Sequence, residues 1–201
     1  MQTAARPAEL TAVLEAHKAL CAELPDGETK RFFDRCHAAL ETEGKLRPEH
    51  QGAQPAVCDH IPEALRVTAE GSPGLARLAD AFGALAPMLN WKPTDRDQPD
   101  DPRFPDNHAN ATLIGNDGVE YHDNVRLGVS LIAPGYTYPR HNHPPEEGYL
   151  VMSGGDWRQD DKQWFRREPG ETVHNIPNIW HAMRAGDDAP LLALWMLWMR
   201  D

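Results

Sequence analysis

The residues best equipped for chemistry lie between Gly135 and Gly154, in the run GYTYPRHNHPPEEGYLVMSG. His141 and His143 are two apart, and in a strand such residues project to one face. The turn at Pro144 and Pro145 lets a second strand begin, on which Glu147, Tyr149 and Val151 share a face. Two imidazoles and a carboxylate thus converge from adjacent antiparallel strands. This donor set suits one divalent metal ion: zinc, iron, manganese, cobalt or nickel. It contains no thiolate, so nothing in it favours zinc alone. A further histidine is needed to close the site. His181, in IPNIWHAM, is the best placed, with His174 second. His108 and His122 sit near loops, as surface residues or pocket lining. A lone histidine at any of these places is most often structural. An H-x-H pair with a carboxylate four residues later, in a strand-turn-strand setting, is much harder to obtain by accident.

Such a site needs a barrel or sandwich to hold it, and the second half of the chain has that pattern. Val125, Leu127, Val129 and Leu131 alternate with Arg126, Gly128 and Ser130, which predicts a strand with one apolar face. Further short strands are expected at 148–153, 163–167, 171–176, 181–184 and 191–199, separated by Gly-, Pro- and Asp-containing turns. The first half has a different period. Leu10, Val13, Leu14, His17, Leu20, Cys21 and Leu24 recur at spacings of three and four, ending at Pro25-Asp26-Gly27. Phe32, Phe33, Cys36, Ala39 and Leu40 repeat the pattern and stop near Gly44. Ser72 followed by Pro73 is an N-cap signal ahead of Leu75, Leu78, Ala79, Phe82 and Leu85. The expected organisation is a helical part over 1–92, a Pro/Asp-rich connecting loop over 93–107, and a mainly β barrel over 108–201.

Composition excludes several functions. Net charge is −11, so a nucleic-acid binder relying on phosphate contacts is not expected. The helical part also lacks a positive stripe, which argues against a DNA-binding regulator. No stretch approaches the ~18 uninterrupted apolar residues of a membrane span. The first residues lead into an amphipathic pattern rather than an apolar signal region. Cys21, Cys36 and Cys58 show no zinc-site spacing and read as buried thiols of a reducing compartment. A cytoplasmic protein is expected, and the composition is compatible with a homodimer.

The spacing from Gly135 to Gly154 resembles the first motif of the cupins, G-x5-H-x-H-x3-E-x6-G, at every fixed position. The second motif is looser. Gly170, Pro177 and His181 match it, but Pro177 lies one place closer to the histidine than usual and Ala185 stands where an asparagine is expected. The resemblance implies a cupin (jelly-roll-like) β-barrel with a helical N-terminal extension. The run H-x-H-P-P-E-E-x-Y, with a helical first part, looks more narrowly like the cupin lyases of dimethylsulfoniopropionate, the DddQ type among them. That resemblance implies that His143, Glu147, Tyr149 and His181 surround the metal, that Tyr149 is the base and that Tyr138 contacts substrate. His141 is then either a further ligand or a substrate-side residue.

The implied reaction suits these residue types. The substrate is a small zwitterion with a carboxylate and a sulfonium, cleaved by β-elimination to dimethyl sulfide and acrylate. A phenol of ordinary pKa ~10 is a weak base, and a neighbouring cation favours its phenolate. The sulfonium resembles a quaternary ammonium and favours aromatic faces, for which Tyr136, Tyr138, Trp180, Trp195 and Trp198 are candidates. Arg140 and Arg184 are candidates for the substrate carboxylate, although solvated surface charges are commoner. Two other readings use the same donors: an iron-dependent cupin dioxygenase and a non-catalytic cupin that only binds a small molecule.

Overall fold

The computed structural model describes residues 5–47, 52–94 and 101–200. The start of the N-terminal segment (1–4) and much of the Pro/Asp-rich loop (95–100) therefore lie outside the described residues.

Four helices form the first part: α1 (Ala8–Ala22), α2 (Glu28–Leu40), α3 (Ile61–Gly71) and α4 (Pro73–Leu85). The Pro25-Asp26-Gly27 turn separates α1 from α2, as its residue types dictate. At α4, Ser72 Oγ accepts the Leu75 amide over 3.2 Å and Pro73 takes the first helical position, as expected from the sequence. Helix α3 is not singled out by its apolar pattern. It buries only Ile61, Ala64 and Thr68, and the Thr68 hydroxyl is satisfied by donating to Ala64 O over 2.7 Å.

Among the described residues there are eleven strands: β1 (Lys45–Leu46), between α2 and α3, then β2 (His108–Ile114), β3 (Glu120–Tyr121), β4 (Val125–Ile132), β5 (Thr137–His141), β6 (Glu146–Val151), β7 (Gly155–Gln159), β8 (Phe165–Arg167), β9 (Thr172–Asn175), β10 (His181–Arg184) and β11 (Leu191–Trp198). They make a large sheet in the order β1-β3-β2-β4-β11-β6-β9 and a small one in the order β5-β10-β7-β8. Strand β1 comes from the helical part of the chain and pairs with β3 at the edge of the large sheet.

Two apolar layers result. Tyr138, Tyr149, Val151, Trp157, Val173, Met183 and Ala193 form the barrel interior. On the other face of the large sheet, Leu127, Val129 and Leu131 pack with Leu10, Phe32, Phe33, Leu78 and Phe82 of the helices. Strand β4 was expected to have one apolar face, yet both its faces are covered from Leu127 to Ile132. The helices explain this, because they bury the face that would otherwise meet water. Two glycines permit the close approaches on either side. A side chain at Gly148 would meet the Phe32 and Phe33 rings at 2.6–2.8 Å, and one at Gly128 would meet the Trp195 indole at 2.1 Å.

The start of the chain is fastened to the sheet edge. Arg6 Nε and Nη2 donate to the two carboxylate oxygens of Glu120 over 2.5 and 2.7 Å, and the Gly44 amide donates to the same group over 2.7 Å. Cys21, Cys36 and Cys58 are free and buried. Among the described residues no helix is long and apolar enough to cross a membrane.

Candidate metal centre

The inner ends of β5, β6 and β10 bring His141, His143, Glu147 and His181 together. One ligand atom from each of His141, His143 and His181 lies within 4.8 Å of the others. Glu147 Oε2 stands 3.3 Å from His143 Nε2 and 3.2 Å from His181 Nε2. Each element has a local reason for this. His141 and His181 oppose each other in the β5–β10 register, and their ring centroids are 4.1 Å apart. His143 lies just past the end of β5, in the bend that the two prolines make before β6. Asn142 between the two histidines is exposed, so the outward turn read from the sequence is what separates them.

Backbone carbonyls fix the orientation of all three rings. The Nδ1 atoms of His141, His143 and His181 lie 2.9, 3.0 and 3.0 Å from the carbonyl oxygens of Pro139, Pro145 and Ile179. A carbonyl only accepts, so each Nδ1 must carry the proton, and in the neutral ring Nε2 presents a lone pair. Three imidazole Nε2 atoms and a carboxylate facing one another need positive charge among them, supplied either by protons on the rings or by a bound cation. His181 Nε2 is buried and makes no hydrogen bond. Its 3.2 Å approach to Glu147 has the distance of a hydrogen bond without the direction. The donor set and this orphaned atom fit a divalent metal ion bound by nitrogen and oxygen.

Glu147 is buried with 4% exposure. Burial pushes its carboxyl up, but the contacts with His143 and His181 outweigh burial and hold it well below the usual carboxylate range. Asn175 Nδ2 donates to Glu147 Oε2 over 2.9 Å, and Gln159 Nε2 donates to Asn175 Oδ1 over 2.8 Å. Sequence reasoning missed both amides. The available signal was the phase of β9, in which Asn175 shares the inward face of Val173 and is a polar residue where the barrel expects an apolar one.

Tyr149 follows Glu147 by two residues on β6 and is buried on the same inward face, with its ring centroid 6.1 Å from that of Trp157. Tyr138 reaches the same interior through an irregularity. His181 pairs with His141 but Met183 pairs with Tyr138, so Pro139 and Arg140 together oppose Ala182. This β-bulge places Tyr138 and His141, three apart, on one face, with centroids 4.8 Å apart. Beyond Tyr138, Phe104 stacks on His108 at 4.8 Å, so the fully buried His108 belongs to the lining behind the tyrosine. Trp195 faces Tyr149 in register, on the same inner face.

Other residues singled out in the sequence are placed elsewhere. Trp180 is 45% exposed and stacks under the Arg140 guanidinium, while His181 beside it turns inward. Tyr136 is half-buried before β5, with Arg103 over its ring at 5.5 Å. His174 Nε2 donates to Glu146 Oε1 over 2.8 Å and its ring packs on Phe32 of α2, on the helix side of the sheet. His122 Nδ1 accepts the Asn124 amide in a turn. Arg140 pairs with Asp161, and Arg184 with Asp156. Trp198 packs against Arg35 of α2, outside the barrel.

Fold and centre together define the class, a cupin barrel whose histidine-rich interior fits a divalent ion and whose back is covered by helices. The dimethylsulfoniopropionate lyase family model matches residues 28–193. The chain is 31% identical over 160 residues to dimethylsulfoniopropionate lyase DddQ of Ruegeria pomeroyi DSS-3, covering 77% of this chain and 78% of the relative. Among solved structures it superposes on a chain from the crystal structures of the lyases RdDddP and RnDddQII, with TM-score 0.73, 27% identity and 95% and 92% of the two chains covered. The crystal structure of DddQ from Ruegeria pomeroyi DSS-3 gives TM-score 0.72 at 23% identity over 96% and 92%, a likeness of fold. The chain belongs to the dimethylsulfoniopropionate lyase family and is a carbon–sulfur lyase.

Proposed function

We propose that this chain cleaves dimethylsulfoniopropionate to dimethyl sulfide and acrylate by a β-elimination at the His143–Glu147–His181 centre, with His141 beside it and Tyr149 as the base. The observation that carries the reading is the placement of Tyr149 two residues after Glu147 on one buried face of β6. The phenolate oxygen of Tyr149 takes the proton from the carbon next to the substrate carboxylate. The C–H electron pair becomes the C=C bond of acrylate, the C–S bond breaks, and its electrons leave with sulfur as neutral dimethyl sulfide. His143, Glu147 and His181, with His141 beside them, would hold a divalent ion, which would supply Lewis-acid stabilisation of the carboxylate on which negative charge develops.

The lining suits both ends of the substrate. Tyr138, Tyr149, Trp157 and Trp195 offer aromatic faces to the sulfonium. Trp157 is fully buried and its Nε1–H has no hydrogen-bond partner among the described residues. A buried indole N–H usually finds an acceptor, and we assign that role to the substrate carboxylate. Tyr136, at the half-buried end of the same cluster, borders the approach. Three buried free thiols suit a reducing compartment, and we assign the enzyme to the cytoplasm.

The test is headspace measurement of dimethyl sulfide and solution measurement of acrylate from purified protein. It is run before and after chelation, with zinc, iron, manganese, cobalt and nickel added back singly. Equal yields that vanish on chelation and return with metal are expected. Oxygen uptake without dimethyl sulfide would favour a dioxygenase and overturn the proposal.

A further inference from the structure

The helical layer holds a second convergence of ligand atoms, far from the barrel chemistry in both sequence and layer. His17 and Cys21 stand one turn apart on α1, and His37 faces them from α2. His17 Nδ1 lies 2.9 Å from His37 Nε2 and 3.5 Å from Cys21 Sγ, and the three ligand atoms all fall within 4.8 Å of one another. Their exposures are 0%, 1% and 6%, so bulk water is not a competing partner. With metal–nitrogen bonds of about 2.0–2.1 Å and metal–sulfur bonds of about 2.3 Å, neighbouring ligands of one ion stand roughly 3.3–3.6 Å apart. The 3.5 Å His17–Cys21 spacing already has such a value, and the 2.9 Å His17–His37 spacing must open by about 0.4–0.7 Å to reach it. An edge-on contact with Phe33, centroids 5.4 Å apart, holds the His17 ring in place.

The protonation states are also suitable. Burial lowers His17 well below the ordinary imidazole range and His37 to about 4, so both rings are neutral near pH 7 and keep a lone pair for an ion. Burial raises the Cys21 thiol, so sulfur must lose its proton to whatever binds. One thiolate and two imidazoles form a donor set for a thiophilic ion, Zn²⁺ or Cu(I) among them. The surroundings decide the charge. Leu10, Val13, Leu14, Phe33 and Cys36 belong to the same buried cluster. One thiolate with two neutral imidazoles balances a single positive charge, and a surplus charge there would be expensive.

We propose that His17 Nδ1, Cys21 Sγ and His37 Nε2 form a second metal site, for Cu(I). Binding forms one Cu–S and two Cu–N bonds and releases the thiol proton to solvent, with no change in oxidation state. The site joins α1 to α2, so the ion clamps the two helices that lie nearest the start of the chain.

The test uses the full-length protein under anaerobic, reducing conditions, titrated with Cu(I) held by the chromophoric chelator bicinchoninate. The double variant His143→Ala/His181→Ala, which lacks two of the four barrel ligands, is expected to withdraw one equivalent of Cu(I). X-ray absorption at the copper edge should then show a single sulfur with two nitrogens. Cys21→Ala in that background should lose the equivalent, while Cys36→Ala should retain it. Failure of the double variant to take copper, or a bound copper without a sulfur neighbour, overturns the proposal whatever the fate of the Cys21 variant. Undiminished copper in a folded Cys21→Ala protein overturns it too. None of these readings depends on lyase activity.

Discussion

Asn175 faces Glu147 directly across the β9–β6 ladder and donates its amide to Oε2 over 2.9 Å. Gln159 Nε2 then donates to the Asn175 side-chain Oδ1 over 2.8 Å and to the His174 backbone carbonyl over 2.7 Å. The carboxylate of the metal centre is therefore oriented from behind by two amides on β9 and β7. Groups of this kind set the affinity of a site they do not touch. Asn175→Ala is expected to weaken metal binding by about 10–100-fold while leaving the fold intact. Competition with a chromophoric chelator measures it, and an unchanged affinity would show that Glu147 is held by other means.

Removing one oxygen tests the proposed role of Tyr149 as base. Tyr149→Phe keeps the ring that packs beside Trp157 and loses only the hydroxyl. General-base catalysis contributes roughly 10²–10⁴-fold, so kcat should fall by that factor, with KM near the wild-type value. Metal content must be measured alongside, because a loss of metal would explain the same decline differently. Dimethyl sulfide release within a few-fold of wild type, with metal unchanged, would remove Tyr149 from the chemistry.

Trp157 gives a prediction of a different kind. Its indole N–H is buried without a partner among the described residues, and Trp157→Phe removes the donor while keeping an aromatic face. If that N–H binds the substrate carboxylate, KM should rise about 10-fold, the order of one hydrogen bond to a charged group at ~1.5 kcal/mol. The variant should be no less stable to urea for loss of the N–H, since an unsatisfied donor disappears with it. A KM equal to wild type would mean that the carboxylate is held elsewhere.

Much of the centre was legible in the sequence, because ligand type and strand period act over a few residues. His141 and His143 on one side of the proline turn, and Glu147 with Tyr149 on the other, need only alternation to converge. His181 was legible as a histidine opening a strand. What the sequence concealed depends on pairing between distant strands. The β-bulge at Pro139 and Arg140 shifts the phase of β5, so Tyr138 joins His141 inside although simple alternation would pair it with Arg140. Asn175 and Gln159 matter only through register, which no local pattern carries. Trp180 is placed by its neighbour. Its aromatic type suggested a sulfonium wall, but it lies one residue from the inward His181 and therefore points out, 45% exposed beside Arg140. Trp180→Ala is accordingly expected to leave KM within about twofold, in line with the small effects of most surface changes.

The tether at the start of the chain makes a prediction about stability rather than catalysis. Both oxygens of the fully buried Glu120 side chain receive Arg6, whose own side chain is 10% exposed. Arg6→Ala leaves that buried carboxylate with the Gly44 amide as its remaining donor among the described residues. Breaking a buried pair in this way costs about 3–5 kcal/mol, whereas removing both charges costs much less. Urea unfolding should show the single variant destabilised by that order, and Arg6→Ala/Glu120→Gln should recover part of the loss. The metal centre lies on the other side of the large sheet, so metal affinity should stay at the wild-type value in both variants. A single variant within 1 kcal/mol of wild type, a margin ordinary for exposed ion pairs, would mean that Arg6 only covers the edge of β3 and does not secure it.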